Sequence, residues 1–203
     1  MIAEAETWAF SATRSGPLAG VPVSLKDTIT VKGFDSSLGY SAFTKRPMPH
    51  DSALVRLLRD AGAVPYVKIN VPITMLSFEA ANDVFGATEN PYKKGYTAGG
   101  SSGGESALLA FGGSRIGVGT DVAGSVRIPS HYSGVVAIRS SMHRFLKMGN
   151  ATTLPGQEGV PATCSPMART LEDLETFWRA VFQMKPWEYD PSVSTPTTHV
   201  WWD

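Results

Sequence analysis

The sequence predicts an α/β fold. Three observations carry this reading. Short apolar runs at 21–26, 63–68 and 114–119 have the length and composition of buried strands. Stretches at 51–61 and 171–182 place apolar residues at the 3.6-residue period of a helix. Strand-like and helix-like segments alternate along the chain, which is the pattern of layered α/β structure.

The elements follow in order. Residues 1–15 form a polar-apolar lead with no firm period. The run 21–26 reads as a buried strand, with Pro22 tolerable near its start. Residues 51–61 read as a helix capped by Asp51, with a stripe of Ala53, Leu54, Leu57, Leu58 and Ala61, and Gly62 ends it. A strand at 63–68 follows. Residues 103–111 read as a helix starting directly after a glycine-rich loop, and Glu105 in its first turn suits the positive end of the helix dipole. A strand at 114–119, a helical turn at 128–133 and a short buried strand at 135–138 come next. Glycines and prolines make 147–163 loop-like. Thr170 caps the helix at 171–182. No repeat or linker divides the chain, so one domain is expected: a lead at 1–15, a core at 16–190 and a Pro/Thr-rich tail at 191–203.

Composition narrows the function classes. Lys+Arg and Asp+Glu are both 18, so no basic surplus invites nucleic acid or an anionic membrane. No apolar run approaches the ~20 residues of a membrane helix. The acidic N-terminus lacks the pattern of a secretory signal. Cys164 is the single cysteine, so no intramolecular disulfide forms, which suits a reducing, cytoplasmic setting.

Three residues carry candidate chemistry. Lys26 closes the segment GVPVSLKD at 20–27. Ser101 sits in AGGSSGGE at 98–105, and Ser125 in GTDVAGSVRIP at 119–129. A serine hydroxyl needs a base to take its proton, and a desolvated lysine can be that base because burial disfavours its charged form. Together the segments point to acyl transfer. The glycine-rich run before Ser125 suits a row of N–H groups facing a developing oxyanion. Asp121 and Arg127 read as an ion pair that holds this loop. Taken alone, each glycine-serine block is an ordinary loop, and Lys26 alone is a solvated strand-end lysine. His50, His131, His143 and His199 read as surface or loop residues without metal-ligand spacing. Cys164 reads as a small structural residue, and Trp201 and Trp202 lack a context.

At these three blocks the chain resembles the amidase signature family, most of all its fungal acetamidase-like members. Further similarity lies in QEGVP at 157–161, PMAR at 166–169 and the segment from Pro186 to Pro191. The resemblance implies a mixed sheet flanked by helices (α/β/α) and hydrolysis of a carboxamide through an acyl-enzyme. It implies Ser125 as nucleophile, Ser101 after a cis Gly100–Ser101 peptide as bridging serine, and Lys26 as base. It implies that the amides of Val122, Ala123, Gly124 and Ser125 face the substrate oxygen; Ser102 joins the substrate-binding group and supports the loop through hydrogen bonds. It implies no metal and no cofactor, a small amide as partner, and a setting in fungal secondary metabolism. Family members are much longer, so an incomplete fold with weak turnover and self-association through exposed core is also expected.

Other readings remain. Residues 99–103 satisfy the Gly-x-Ser-x-Gly elbow of α/β-hydrolases, with Ser101 as nucleophile and Asp121 or Asp173, then His199, supplying only the chain order. That reading leaves Lys26 and Ser125 unexplained. A nucleotide-binding loop is weaker, since Gly117 and Gly119 lack the third glycine of a dinucleotide fingerprint. The rival from another class is an inactive amidase relic or binding remnant.

Overall fold

The computed structural model describes residues 1–10 and 15–195. The elements are α1 (Ile2–Ala9), β1 (Pro22–Lys26), α2 (Ala53–Asp60), β2 (Val64–Ile69), β3 (Ala81–Asn82), β4 (Gly86–Ala87), α3 (Gly103–Phe111), β5 (Ile116–Asp121), α4 (Arg127–Ser133), β6 (Val136–Ala137), β7 (Thr163–Ala168) and α5 (Leu171–Gln183). Five strands form the central sheet in the order β2-β1-β5-β7-β6, and β3 with β4 makes a separate small hairpin. β1 runs parallel to both β2 and β5, whereas β7 is antiparallel to β5 and β6. The sheet is therefore mixed, as expected.

The two-residue period of β1 sorts its side chains between the faces. Val23 and Leu25 enter the main core with Leu54, Leu57 and Leu58 of α2 and Leu174 and Phe177 of α5. Ser24 and Lys26 point to the opposite face, where α3 lies. β5 divides the same way. Ile116 and Val118 join the main core, and Gly117 and Gly119 face α3. A smaller cluster of Leu109, Val126 and Met167 lies apart from that core. Burial of large apolar side chains thus fixes the register of β1, and that register delivers Lys26 to the α3 side.

Several local expectations change. The lead contains α1, whose Ala5 is its one buried residue and whose Trp8 Nε1 donates to Ala63 O at 2.8 Å. A helix anchored by so few contacts leaves no apolar period to read. Ser52 caps α2 by accepting from Val55 N, while Asp51 accepts from Lys32 N and pairs with Arg59. The strand β7 had no counterpart in the pattern. All six of its residues are buried, so no alternation shows, and Pro166 resembles a strand breaker. β6 pairs only with Met167 and Ala168, so its ladder has ended at Pro166. Thr170 caps α5 as expected, with Asp173 N donating to its hydroxyl at 3.1 Å. His199, Trp201, Trp202 and the tail beyond 195 lie outside the described residues.

Candidate active site

The parallel strands β1 and β5 end beside each other, and loops beyond such carboxyl ends are where open α/β sheets hold ligands. Lys26 is the last residue of β1 and is fully buried. Its Nζ donates to Ser101 Oγ at 2.7 Å and lies 3.3 Å from Thr120 O. Burial, the largest effect on it, lowers its pKa to about 7 against the pull of carboxylates such as Asp121 and Asp27. Above that pH the amine is neutral and can accept a proton. Next to it, Asp27 accepts from Leu38 N at 2.6 Å and pairs with Lys68 at 3.4 Å, so it fixes the chain after β1.

Ser101 follows a cis Gly100–Ser101 peptide and opens directly into α3. Glycine is required at 100 because a Cβ there would stand 2.6 Å from Glu79 N. Ser102 is fully buried. Its N–H donates to Ser125 O at 2.9 Å, and its hydroxyl lies 3.4 Å from both Thr120 N and Thr120 O. Ser102 thus ties the Ser101 loop to β5 and to the Ser125 loop. It does not line the cavity that holds the two other serines.

Ser125 lies between β5 and α4, on a loop organised by Asp121. The Asp121 carboxylate accepts from Gly124 N at 2.8 Å and Val126 N at 3.1 Å. It also accepts from Arg127 Nε at 3.0 Å and Nη2 at 2.9 Å. Burial works to raise the Asp121 pKa, but these donors outweigh it and hold the group at about 2. The ion pair read from sequence is present, and Arg139 Nε adds a second arginine at 3.3 Å. The N–H of Gly124 is engaged by Asp121 Oδ1, which leaves Val122, Ala123 and Ser125 as the amides of the expected set not bound to that carboxylate.

Ser101, Ser125 and Val122 line one cavity of about 70 Å³, with Thr120, Thr152 and Leu154 among its walls. It adjoins a cavity of about 390 Å³, and the two share Met75, Thr120, Thr152, Leu154, Gln157 and Ala162. A larger cleft of about 590 Å³ beside β2 contains neither serine. Sequence reasoning missed the walls from 74–76 and 152–154, whose loops carry no chemical motif. It also missed the environment of Glu105, which is fully buried against Ser24 and not displayed to the helix end.

The remaining candidates stand apart. His50, His131 and His143 are exposed. The Cys164 thiol is buried, and burial raises its pKa to about 12, so it stays protonated and unreactive at neutral pH. Among the described residues no group of three or more His, Cys, Asp or Glu is placed to hold a metal ion. None of their helices is long and apolar enough to cross a membrane.

The family profile described as Amidase matches residues 1–201. The chain belongs to the Amidase family. It is 42% identical over 178 residues to the acetamidase of Emericella nidulans, covering 88% of this chain and 32% of that protein. It is 44% identical over 180 residues to an amidase of Gibberella moniliformis, covering 88% and 34%. Among solved structures, a fatty acid amide hydrolase matches with a TM-score of 0.86 and 38% identity over 91% of this chain and 33% of its own. The chain spans about a third of the length of these relatives.

Proposed function

We propose that this member of the Amidase family hydrolyses a small carboxamide to a carboxylic acid and ammonia or an amine through an acyl-enzyme. The observation that carries the reading is the buried Lys26–Ser101 contact behind a cavity that Ser101 shares with Ser125. In this reading neutral Lys26 takes the proton of Ser101, and Ser101 takes that of Ser125 as Ser125 Oγ attacks the carbonyl carbon. The carbonyl electrons move onto oxygen, opposite the amides of Val122, Ala123 and Ser125. Such preorganised donors contribute about 3–4 kcal/mol each to the transition state. Collapse re-forms the carbonyl, expels the amine with a proton returned through Ser101, and leaves an ester on Ser125. Water deprotonated by the same pair then releases the acid.

The cavity of about 70 Å³ that the two serines line opens beside the larger one of about 390 Å³, which leaves room for an acyl group next to Ser125. The named acetamidase relative supports the same substrate class. Fungal relatives agree with a fungal setting, and the unpaired Cys164 thiol agrees with a reducing compartment such as the cytoplasm; a role in secondary metabolism rests on the sequence resemblance alone. Ammonia release from acetamide and related carboxamides tests the activity. Loss of release in Ser125→Ala is expected, and equal release in that variant contradicts the proposal. A binding remnant instead predicts amide binding without release.

A further inference from the structure

Glu105 has no task in this scheme, yet it is fully buried against Ser24, which stands two residues before Lys26 on β1. It sits in the first turn of α3, four residues after Ser101, and its carboxyl meets Ser24 Oγ on β1. Ser24 and Lys26 share one face of β1. Glu105 therefore joins the helix that follows the Ser101 loop to the strand that carries Lys26. Gly117 of β5 makes room for it, since a Cβ there would stand 1.9 Å from Glu105 Oε1 and 2.7 Å from Ser24 Oγ.

Proton counting favours the neutral acid, because only that state makes all three contacts at once. Ser114 Oγ donates to Ile116 O at 2.8 Å, and Ser24 Oγ lies 3.0 Å from Ser114 Oγ. Each hydroxyl has one proton. If Ser24 donates to Glu105, the Ser24–Ser114 contact can be bridged only by the Ser114 proton, and the bond to Ile116 O is given up. If Glu105 is a carboxylic acid, the bonds run one way: Glu105 to Ser24, Ser24 to Ser114, Ser114 to Ile116 O. The second oxygen, Oε2, is buried with no hydrogen-bond partner, which is far less costly for a neutral acid than for a carboxylate.

We propose that Glu105 is a positioning residue for Lys26: held as a neutral carboxylic acid, it anchors the Lys26 strand to the Ser101 helix without placing a negative charge that would keep Lys26 protonated. The inference rests on the reading of Lys26 as base. Burial, which raises the Glu105 pKa to about 8 against the opposing effects of Ser24 and Lys26, agrees with this state. Other groups around the pair are Tyr66 on β2, whose ionisation Glu105 disfavours, and Asp27, Asp121 and Cys164, which act on Lys26. From the α4 side Ser133 bonds Ser106, next to Glu105, and brings no charge.

The test uses the 203-residue chain with ¹³C-labelled Glu and Lys, the Glu105→Gln variant, and the rate at which a fluorophosphonate labels Ser125 as pH varies. The Gln amide keeps a donor for Ser24 but cannot ionise. In the wild type, the Glu105 carboxyl should titrate near pH 8. The labelling rate should rise through about 7 and fall again as Glu105 ionises. In Glu105→Gln the rise should stay within about half a pH unit, and the fall should vanish. A carboxyl titrating near the ordinary glutamate value overturns the inference alone. So does a Lys26 titration that drops by more than about one unit in Glu105→Gln, because Glu105 was then its counter-charge. A fall that persists in the variant overturns it as well. Labelling of Ser125 that is absent at every pH, or unaffected by Lys26→Met, overturns the nucleophile-and-base reading and this inference with it.

Discussion

Lys26 Nζ lies 2.7 Å from Ser101 Oγ, and both side chains are removed from solvent. A solvated lysine at the end of a strand is a cation and no base at neutral pH. Here Leu25 faces the main core, which obliges Lys26 to face α3. The contact with Ser101 is the consequence of strand register, and the lowered pKa is the consequence of burial.

Replacing Lys26 by methionine should therefore remove the base and keep the packing volume. General-base contributions are typically 10²–10⁴-fold, so a loss of about that size in the Ser125 labelling rate is expected. The wild-type rate should rise with pH through about 7, since the neutral amine is the active form. That rise should be missing in Lys26→Met. A profile identical to wild type contradicts the role of Lys26.

Stability should also depend on the same proton. Lys26 binds a proton with a pKa of about 7 when folded and 10.5 when unfolded. Between these values the unfolded chain holds more protons, so this group makes stability rise with pH. Glu105 acts oppositely: its pKa rises from 4.5 to about 8 on folding, so its contribution falls as pH climbs through that window. Thermal melts of Lys26→Met and wild type should differ most below pH 7 and converge as pH rises through the Lys26 window. Parallel melting curves across that range contradict a buried, deprotonated lysine.

The loop of Ser125 should fail before the fold does. Asp121 is buried beneath two arginines and three loop amides. Removing one partner of such a buried pair costs about 3–5 kcal/mol, and Asp121→Ala should lose stability on that scale in denaturant unfolding. Ser125 labelling should drop further than unfolding alone accounts for. Arg127→Gln leaves Arg139 and three loop amides on the carboxylate, so it should cost less than Asp121→Ala. Equal losses in the two variants contradict the assignment of Asp121 as the organiser of the loop.

Phe10, Leu76 and Phe111 are each at least 74% exposed. Exposed apolar surface favours association. Size-exclusion chromatography of the 203-residue chain should show concentration-dependent oligomers that shift toward monomer in a Phe10→Ser, Leu76→Ser, Phe111→Ser triple variant. A monomer at all concentrations removes this expectation.

The site was more legible than its support. Lys26, Ser101 and Ser125 stand in motifs whose residue types have chemical meaning; the fold bonds Lys26 to Ser101 and lines one cavity with Ser101 and Ser125. Amphipathic α2 and α5 showed their periods because one face of each meets solvent. β7 was illegible because burial on both faces erases alternation. Ser52 and Asp51 are adjacent good caps, and only the geometry at Val55 N separates them. The glycine-rich pattern suits Gly124 as an oxyanion donor, but its N–H is bound by Asp121, a contact that no local sequence feature reports. Glu105 reads in the sequence as a first-turn acid that suits the helix dipole, and no local pattern reports that Gly117, twelve residues on, leaves space to bury it.

The central claim is that Ser125 is the nucleophile and Ser101 its relay. Mass spectrometry of the chain after fluorophosphonate treatment, with peptide-level localisation of the adduct, tests it most directly. A single adduct on Ser125 is predicted, absent in Ser125→Ala and formed more slowly in Ser101→Ala. An adduct on Ser101 that survives Ser125→Ala contradicts the account.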